Sequence, residues 1–274
     1  LNNGKKIFIQ NSRRGQISDI FDNLSFRKKK NFYVDLMFVQ NRFIGKLYNK
    51  FIKGKIIPFG NIRSNQEKII KIKKKYELVY ISSGNYYLSD NYVSSGLTRL
   101  EIVEKEKKFI SVLKNFCSKN KIKLSILGKD VNYLPELNFY KQILGEFKFN
   151  FIKNFENRKT FRIIDNCELV TGMDSTLIYE AFSRGVKCYF GSFRYDKNSF
   201  VKSGNFGWPQ KLPHEGKFWI NYFDEKKILY GLKEIYRCKR FQWKKISKKY
   251  IKDNMIYDFN NTILKKYTKK FYDN

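Results

Sequence analysis

Residues 168–191, ELVTGMDSTLIYEAFSRGVKCYFG, carry the side chains with the clearest chemical potential in this chain. An apolar strand is predicted to end at Gly172, and the small polar turn Asp174-Ser175-Thr176 leads from it into a helix with an apolar face. A second apolar strand follows that helix. In an open parallel sheet the ligand crevice lies beyond the carboxyl ends of the strands, so we expect the turn to border a binding site.

The start of this predicted helix favours a phosphate group. Its first backbone amides point toward the crevice, and the helix dipole adds a partial positive charge. Ser175 and Thr176 supply hydroxyl donors for a diphosphate, and Glu180, one turn further along, is placed to accept the two hydroxyls of a ribose. With Gly172 and Asp174 in the turn, the segment predicts a nucleotide-sugar ligand. The alternative interpretation is that Asp174 or Ser175 only caps the helix and that Glu180 is solvated.

Two further polar turns are predicted to line the same cleft. Ser82, Ser83 and Gly84 follow the apolar run YELVYI, where an open α/β domain often places a glycine-containing loop against phosphate. Lys129 ends the next predicted strand and is placed to neutralise diphosphate charge. We assign all four residues to donor binding, and the alternatives are an ordinary turn and a solvated lysine.

The turn after the first predicted strand contains Asn11, Arg13 and Arg14. Arginine binds carboxylate or phosphate through two parallel hydrogen bonds, so an anionic acceptor or a donor phosphate is expected beside this turn. His214 is the single histidine and titrates near neutral pH. No orienting partner is visible beside it, so we expect a structural role and assign no catalytic residue.

The formal net charge of +31 arises from 56 Lys plus Arg against 25 Asp plus Glu, and it invites a nucleic-acid interpretation. Lysine far outnumbers arginine, however, and lysine is poorly suited to bidentate reading of base edges. Abundant Ile, Asn, Phe and Tyr beside scarce His and Pro are typical of a protein from an AT-rich genome. We therefore expect no specific nucleic-acid partner, whereas contact with an anionic membrane surface is compatible with the charge.

The four cysteines are scattered, without a C-x-x-C pair, so a zinc site is not expected. Cys117, Cys167 and Cys188 lie in or beside apolar stretches and are expected to be reduced thiols in the core of a cytosolic protein. No apolar run approaches the ~20 residues that a membrane-spanning helix needs. The amino end does not have the pattern of a signal peptide.

Short apolar runs alternate with longer segments of helical period, which predicts an α/β fold with parallel strands joined by crossover helices. Several runs are almost continuously apolar, as is typical of buried parallel strands. The predicted strands are Lys6 to Gln10, Phe32 to Val39, Lys55 to Phe59, Glu77 to Ser82, Ile122 to Leu127, Phe147 to Ile152, Glu168 to Gly172 and Lys187 to Phe190. The strands that begin at Glu77, Ile122, Glu168 and Lys187 are expected side by side in one parallel sheet.

The unit over 168–191 resembles the donor-binding unit of GT-B glycosyltransferases. In those proteins a small-residue turn precedes a helix with a Glu-Ala pair, here Glu180-Ala181, and a short glycine-containing exit, here residues 184–186. Retaining members of the best-known group have another glutamate eight residues before the helix glutamate, and this chain has Gly172 there. The stereochemical outcome is therefore left open.

Four further segments resemble a family of bacterial surface-carbohydrate biosynthesis proteins, so the resemblance spans nearly the whole chain. These segments are residues 33–65, 137–146, 205–219 and 257–267. The resemblance implies a GT-B-like fold and a function in surface polysaccharide or lipopolysaccharide synthesis. It also implies a cytoplasmic location, peripheral on the inner face of the bacterial inner membrane.

The expected lobes follow from this resemblance. We predict an amino-terminal, acceptor-side lobe over 1–66, a Rossmann-like nucleotide-sugar domain over 67–256, and a carboxyl-terminal helix over 257–274 that packs back on the first lobe. The first lobe is short for a doubly wound domain, so we expect it to be incomplete.

The implied reaction transfers a sugar from a nucleotide-sugar donor to a glycan or lipid-linked acceptor, with no cofactor. Helix amides and hydroxyls, instead of a protein-bound metal, would stabilise the departing phosphate. Three alternatives stay open: a GT-B-shaped nucleotide-sugar epimerase, a polyol-phosphate transferase, and a non-catalytic basic module that binds membrane or nucleic acid.

Overall fold

The fold is taken from a computed structural model. The residues that it describes are 4–12, 32–70, 74–84, 93–94, 97–153, 157–173, 175–193 and 204–272. Arg13, Arg14 and Asp174, three of the predicted site residues, lie outside the described residues.

A parallel sheet of three strands, in the order β1-β2-β3, forms the amino-terminal part of the fold. Its strands are Ile7–Ile9 (β1), Phe32–Val39 (β2) and Ile52–Pro58 (β3). Two short helices follow β2 and β3: Arg42–Tyr48 (α1) and Ile62–Gln66 (α2). The side chains of Asn41 and Asn61 cap these helices, and each accepts hydrogen bonds from two backbone N–H groups of the first turn.

A second sheet of seven strands has the order β11-β12-β10-β9-β4-β7-β8. Its strands are Tyr76–Ile81 (β4), Leu124–Leu127 (β7), Asn150–Ile152 (β8), Cys167–Gly172 (β9), Cys188–Gly191 (β10), Glu215–Gly216 (β11) and Trp219–Ile220 (β12). All neighbours are parallel except β11 and β12, which form an antiparallel pair at the edge. A separate antiparallel pair consists of Val93–Ser94 (β5) and Leu97–Thr98 (β6).

The remaining helices mostly cover this second sheet, and the last of them returns to the first sheet. They are Arg99–Asn120 (α3), Tyr133–Leu144 (α4), Asn157–Asp165 (α5), Thr176–Ser183 (α6), Glu225–Arg237 (α7), Arg240–Asn254 (α8), the 3-10 turn Phe259–Asn261 and Thr262–Tyr272 (α9). Within the described parts of the chain, no helix is both long and apolar enough to cross a membrane.

The main core lies between the second sheet and its helices. The central strands β4 and β9 are almost wholly buried and apolar, which is the pattern expected when helices cover both faces of a parallel sheet. Helix α3 buries an apolar stripe that includes Ile102, Phe109 and Leu113, spaced at a helical period. Cys117, Cys167 and Cys188 are buried free thiols, and burial raises the pKa of the Cys117 thiol to about 12.

The sequence prediction of one parallel sheet is confirmed for its central strands. β10, β9, β4 and β7 lie side by side in that order. The predicted strand at Lys55 to Phe59 begins earlier, at Ile52, and the pair β11 and β12 was not predicted. These two strands have two residues each, which is too short to show an alternating pattern in the sequence.

The carboxyl-terminal segment crosses back to the first sheet. Its side chains Ile263, Leu264 and Tyr267 pack against the cluster of Leu36, Phe38, Ile57 and Phe59. Gly60 has a φ of +96°, and a Cβ built there would lie 1.9 Å from the carbonyl oxygen of Ile256. Only glycine therefore allows this close approach of the two segments.

Arg184, directly after α6, is the main polar link between the two halves of the fold. Its guanidinium donates to both carboxylate oxygens of Asp165, at 2.8 and 2.5 Å, and both side chains are almost fully buried. It also donates to three backbone carbonyls of the segment that follows β3, those of Ser64, Glu67 and Lys68. One side chain thus binds α5, α6 and the connection between the sheets.

Replacement of Arg184 by Met should lower the free energy of unfolding by about 3 to 5 kcal/mol, because it leaves the buried Asp165 carboxylate without its cation. Urea unfolding at neutral pH measures this. Arg162→Met, at an exposed position of α5, is the matched control. The double variant Arg184→Met with Asp165→Leu should recover part of the loss, and a loss below about 1 kcal/mol for Arg184→Met alone would contradict the assignment.

Candidate functional site

The carboxyl ends of four neighbouring strands are level with one another in the second sheet. Ile81 of β4 is in register with Leu127 of β7 on one side and with Gly172 of β9 on the other, and Gly172 is in register with Phe190 of β10. The loops that leave these strands therefore emerge at one edge. That edge is where open α/β sheets bind ligands, and it brings together the predicted turns after β4, β7 and β9.

The loop after β4 is held by a buried hydroxyl network. The Ser82 hydroxyl oxygen accepts a hydrogen bond from the backbone N–H of Gly84, at 3.1 Å, and the Ser82 O–H donates to the Tyr140 hydroxyl oxygen, at 2.8 Å. The Tyr140 and Tyr80 hydroxyls both donate to the carboxylate of Glu106, at 2.8 and 2.7 Å. The shape of the Ser82–Gly84 loop is thus set from inside the core, by residues that the sequence did not associate with the site.

Lys129 lies beside this loop. Its ammonium donates to the carbonyl oxygen of Ser83 at 3.1 Å, so the turns after β4 and β7 are in contact. The backbone N–H groups of Lys129 and Asp130 donate to the buried carboxylate of Glu136 on α4, which fixes the turn that carries the lysine. The Lys129 side chain remains exposed, as a phosphate ligand requires.

The amino end of α6 reaches the same edge. Ser175 is the N-cap residue, and its hydroxyl oxygen accepts the backbone N–H of Leu177 at 3.3 Å. Thr176 is the first residue of the helix. Gly172 ends β9 in close contact with β4, since a Cβ there would lie 3.2 Å from the carbonyl oxygen of Ile81. Ser175 therefore caps the helix, as the alternative interpretation expected. This cap uses the hydroxyl oxygen as an acceptor and leaves the hydroxyl proton of Ser175 available to a ligand.

Glu180 is not solvated. Its side chain lies on α6 with a relative exposure of 7%, and burial raises the pKa of its carboxyl group to about 7, against the lowering influence of Arg184 and Arg63. Arg63 belongs to α2, and the neighbouring Ser64 carbonyl accepts a hydrogen bond from Arg184. The carboxyl group thus lies where the two halves of the fold meet.

Two hydroxyl groups near this region have no hydrogen-bond partner among the described residues. They are the buried Oγ atoms of Ser64 on α2 and of Ser83 after β4. An unsatisfied buried hydroxyl costs free energy unless a water or a ligand completes it. The sequence analysis predicted Ser83 as a site residue but did not identify Arg63 or Ser64. These two residues belong to the five-residue helix α2, and its local sequence does not indicate that it contacts α6.

The amino-terminal side of the predicted site is described only in part. Asn11 follows β1, and its carbonyl oxygen accepts a hydrogen bond from the Asn61 side chain at 3.0 Å, which joins the loop after β1 to the start of α2. Arg13 and Arg14 lie outside the described residues. His214 lies in the loop before β11, at the opposite edge of the second sheet from β7 and β8.

The fold consists of two α/β halves, each built on a parallel sheet, and polar loops gather at the strand ends of the second sheet. This arrangement is that of a GT-B-like protein. Solved structures agree. The fold is similar to a UDP-GlcNAc 2-epimerase from Methanocaldococcus jannaschii, with 12% identity, coverage of 96% of this chain and 70% of that chain, and a TM-score of 0.55. It is similar to the S. aureus MnaA-UDP co-structure, with 9% identity, 88% and 60% coverage and a TM-score of 0.53.

A third similar structure is a variant of the wall teichoic acid polymerase TagF soaked with CDPG, with 12% identity, coverage of 97% of this chain and 67% of that chain, and a TM-score of 0.52. The chain spans only 60% of the length of the S. aureus protein. No curated protein matches the sequence.

The family is identified by sequence. Residues 7–272 match the family described as "putative O-antigen biosynthesis protein", and the chain belongs to that family. The resemblance to surface-carbohydrate biosynthesis proteins of GT-B type is therefore confirmed, as is the GT-B-like fold.

The raised pKa of Glu180 has a consequence for stability. Because the folded state holds its proton up to a pH of about 7, against an ordinary pKa of 4.5, the unfolded state loses the proton first as pH rises. The ionised carboxyl group therefore costs the folded state stability, a cost absent below pH 4.5 and complete above about 7.

Glu180→Gln should remove this cost. Relative to the original protein, the variant should gain stability progressively between pH 4.5 and about 7, by about 3 kcal/mol at most, and show no further change above that range. Urea unfolding at several pH values measures the difference. Glu146→Gln, at an exposed position, is the control, and a Glu180→Gln difference independent of pH would contradict the burial of the charge.

Proposed function

We propose that this protein transfers a sugar from a nucleotide-sugar donor during the synthesis of a surface polysaccharide. The observation that carries the proposal is the convergence of the Ser82–Gly84 loop, Lys129 and the amino end of α6 on one edge of a parallel sheet, with Glu180 buried on the same helix. Two structurally similar proteins are named with nucleotide compounds, UDP for MnaA and CDPG for TagF, which supports this ligand class.

The donor diphosphate is assigned to the start of α6. The positive end of the helix dipole lies there and attracts phosphate oxygens. Ser175 and Thr176 add hydroxyl donors. The Ser83 hydroxyl and the Lys129 ammonium lie on the neighbouring loops after β4 and β7. These groups stabilise the negative charge that develops on the departing diphosphate, which is the largest electrostatic requirement of glycosyl transfer.

The ribose is assigned to Glu180. A carboxylate accepts two hydrogen bonds and therefore matches the paired hydroxyls of a ribose. The carboxyl group is almost buried, and no group among the described residues donates a hydrogen bond to it. A ribose that donates two hydrogen bonds would favour the ionised form and lower the pKa of Glu180 on binding.

The acceptor is a glycan or a lipid-linked glycan, assigned to the amino-terminal side of the cleft with Asn11, Arg13 and Arg14. We propose direct displacement at the anomeric carbon without a cofactor, and a cytoplasmic location. The catalytic base is left unassigned.

An epimerase is the second candidate, because the similar structure from Methanocaldococcus jannaschii is named as a UDP-GlcNAc 2-epimerase. Product analysis separates the candidates. A glycosyltransferase releases a nucleoside diphosphate only when acceptor is present, a polyol-phosphate transferase releases a nucleoside monophosphate, and an epimerase alters the sugar without any acceptor. A non-catalytic basic module would show binding that collapses with salt and no preference among nucleotides.

The double substitution Ser175→Ala with Thr176→Val should weaken binding of the preferred nucleoside diphosphate roughly tenfold or more, because hydrogen bonds to a charged group contribute ~1.5 to 3 kcal/mol each. Calorimetric titration measures the affinity, and melting curves monitor the fold. Ser111→Ala, at an exposed position of α3, is the control. If the two residues only cap the helix, stability falls by ~1 kcal/mol while affinity is unchanged, and the diphosphate assignment is wrong.

Glu180→Gln should weaken the binding of nucleoside diphosphates roughly tenfold and leave the binding of inorganic pyrophosphate unchanged, because only nucleoside diphosphates carry a ribose. The titration is made above the pKa of Glu180, where the carboxyl group is ionised. Equal losses for both ligands would indicate a general disturbance of the cleft instead of a ribose contact.

A further inference from the structure

A groove of about 1430 Å³ lies at the β11–β12 edge of the second sheet, between α7 and α8. Its floor is apolar and aromatic, with Phe218, Trp219 and Tyr189 packed beneath it. None of the residues that line the groove belongs to the candidate nucleotide site, so the two are separate.

The rim of the groove is basic. Five of its lining residues are cationic: Lys217, Lys227, Arg237, Lys245 and Lys249. Two are acidic, Glu215 and Glu234, and the first of these is held by Lys227 at 2.8 Å. A positive rim above an apolar floor fits a molecule that is anionic at one end and apolar at the other.

Helix α8 extends the positive surface beyond the groove. Between residues 240 and 252 it carries six exposed cations and no acidic residue: Arg240, Lys244, Lys245, Lys248, Lys249 and Lys252. Their spacing, mostly three or four residues, places them on one half of the helix, while Trp243 and Ser247 are buried on the other half. The cations therefore face outward together.

Two large aromatic side chains stand exposed among these charges. Tyr230 on α7 has a relative exposure of 67% and Phe241 on α8 of 68%, and both line the groove. Exposed aromatic rings cost solubility, and proteins place such rings among basic residues where they meet the interface of a bilayer. A nucleic-acid groove would favour arginine for base and phosphate contacts, whereas five of the six cations of α8 are lysine.

We propose that the surface formed by α7, α8 and the groove docks on a membrane that contains anionic phospholipids. The lysines of α8 lie against the headgroup phosphates, Tyr230 and Phe241 enter the interface, and the groove accepts part of one lipid. This arrangement would hold the protein at a membrane whether or not the nucleotide site has the function proposed above. No helix needs to cross the bilayer for such binding.

The test is co-sedimentation of the full chain with phosphatidylcholine vesicles that contain about 30 mol% phosphatidylglycerol, compared with pure phosphatidylcholine. The triple variant Lys245→Gln, Lys248→Gln, Lys249→Gln should bind the anionic vesicles roughly 100-fold more weakly, since each lysine near the surface contributes a factor of roughly five. The double variant Tyr230→Ser with Phe241→Ser should still bind anionic vesicles at low salt. At high salt, where the attraction of the lysines is screened, it should no longer bind, whereas the original protein retains some binding.

The matched control is Lys108→Gln, Lys119→Gln, Lys141→Gln, which removes the same charge from exposed positions of α3 and α4. Melting curves confirm that each variant is folded. The proposal is wrong if the control variant loses as much binding as the α8 variant, or if neutral vesicles bind the protein equally well. It is also wrong if a DNA duplex displaces the protein from the vesicles and the binding of that duplex requires the same lysines. Nucleotide affinity, measured on the same variants, should be unchanged.

Discussion

The buried guanidinium of Arg184 is the interaction on which the arrangement of the two halves depends. It neutralises Asp165 at the end of α5 and donates to the backbone of the segment that leaves the first sheet, so one cation fixes two helices and the connection between the lobes. A buried ion pair contributes little net stability compared with apolar residues of similar size, but it is strongly destabilising when one partner is removed. Its effect here is positional: it holds α6, with Glu180 one turn before Arg184, against α2 of the other half.

The candidate site follows from that constraint. Since α6 is held against α2, the carboxyl group of Glu180 lies between the halves, where burial raises its pKa and the cations of Arg184 and Arg63 partly offset the effect. The unsatisfied hydroxyls of Ser64 and Ser83 lie on elements of opposite halves. Buried polar groups without a hydrogen-bond partner lower stability, and a polar ligand that completed their hydrogen bonds would restore it.

Much of the secondary structure could be predicted from the sequence. The unit of β9, α6 and β10 was identified from an apolar run, a polar turn and a helical stripe closed by Gly185, and the alternation of strands and helices indicated that the four central strands share one parallel sheet. Short elements were missed, as in β11 and β12, because two-residue strands depend on neighbouring strands for their hydrogen bonds and leave no periodicity in the sequence.

The sequence by itself determined which polar turns end the parallel strands, because a strand end, a small-residue turn and a helix start are local patterns; Ser82, Lys129 and Ser175 were found in this way. Only the tertiary structure decided what surrounds them. That Glu180 is buried, that Ser82 is held by Tyr140, and that Arg184 pairs with Asp165 all depend on contacts between residues distant in the chain. Burial and charge pairing are properties of packing, and local periodicity carries no information about which distant side chain will be the partner.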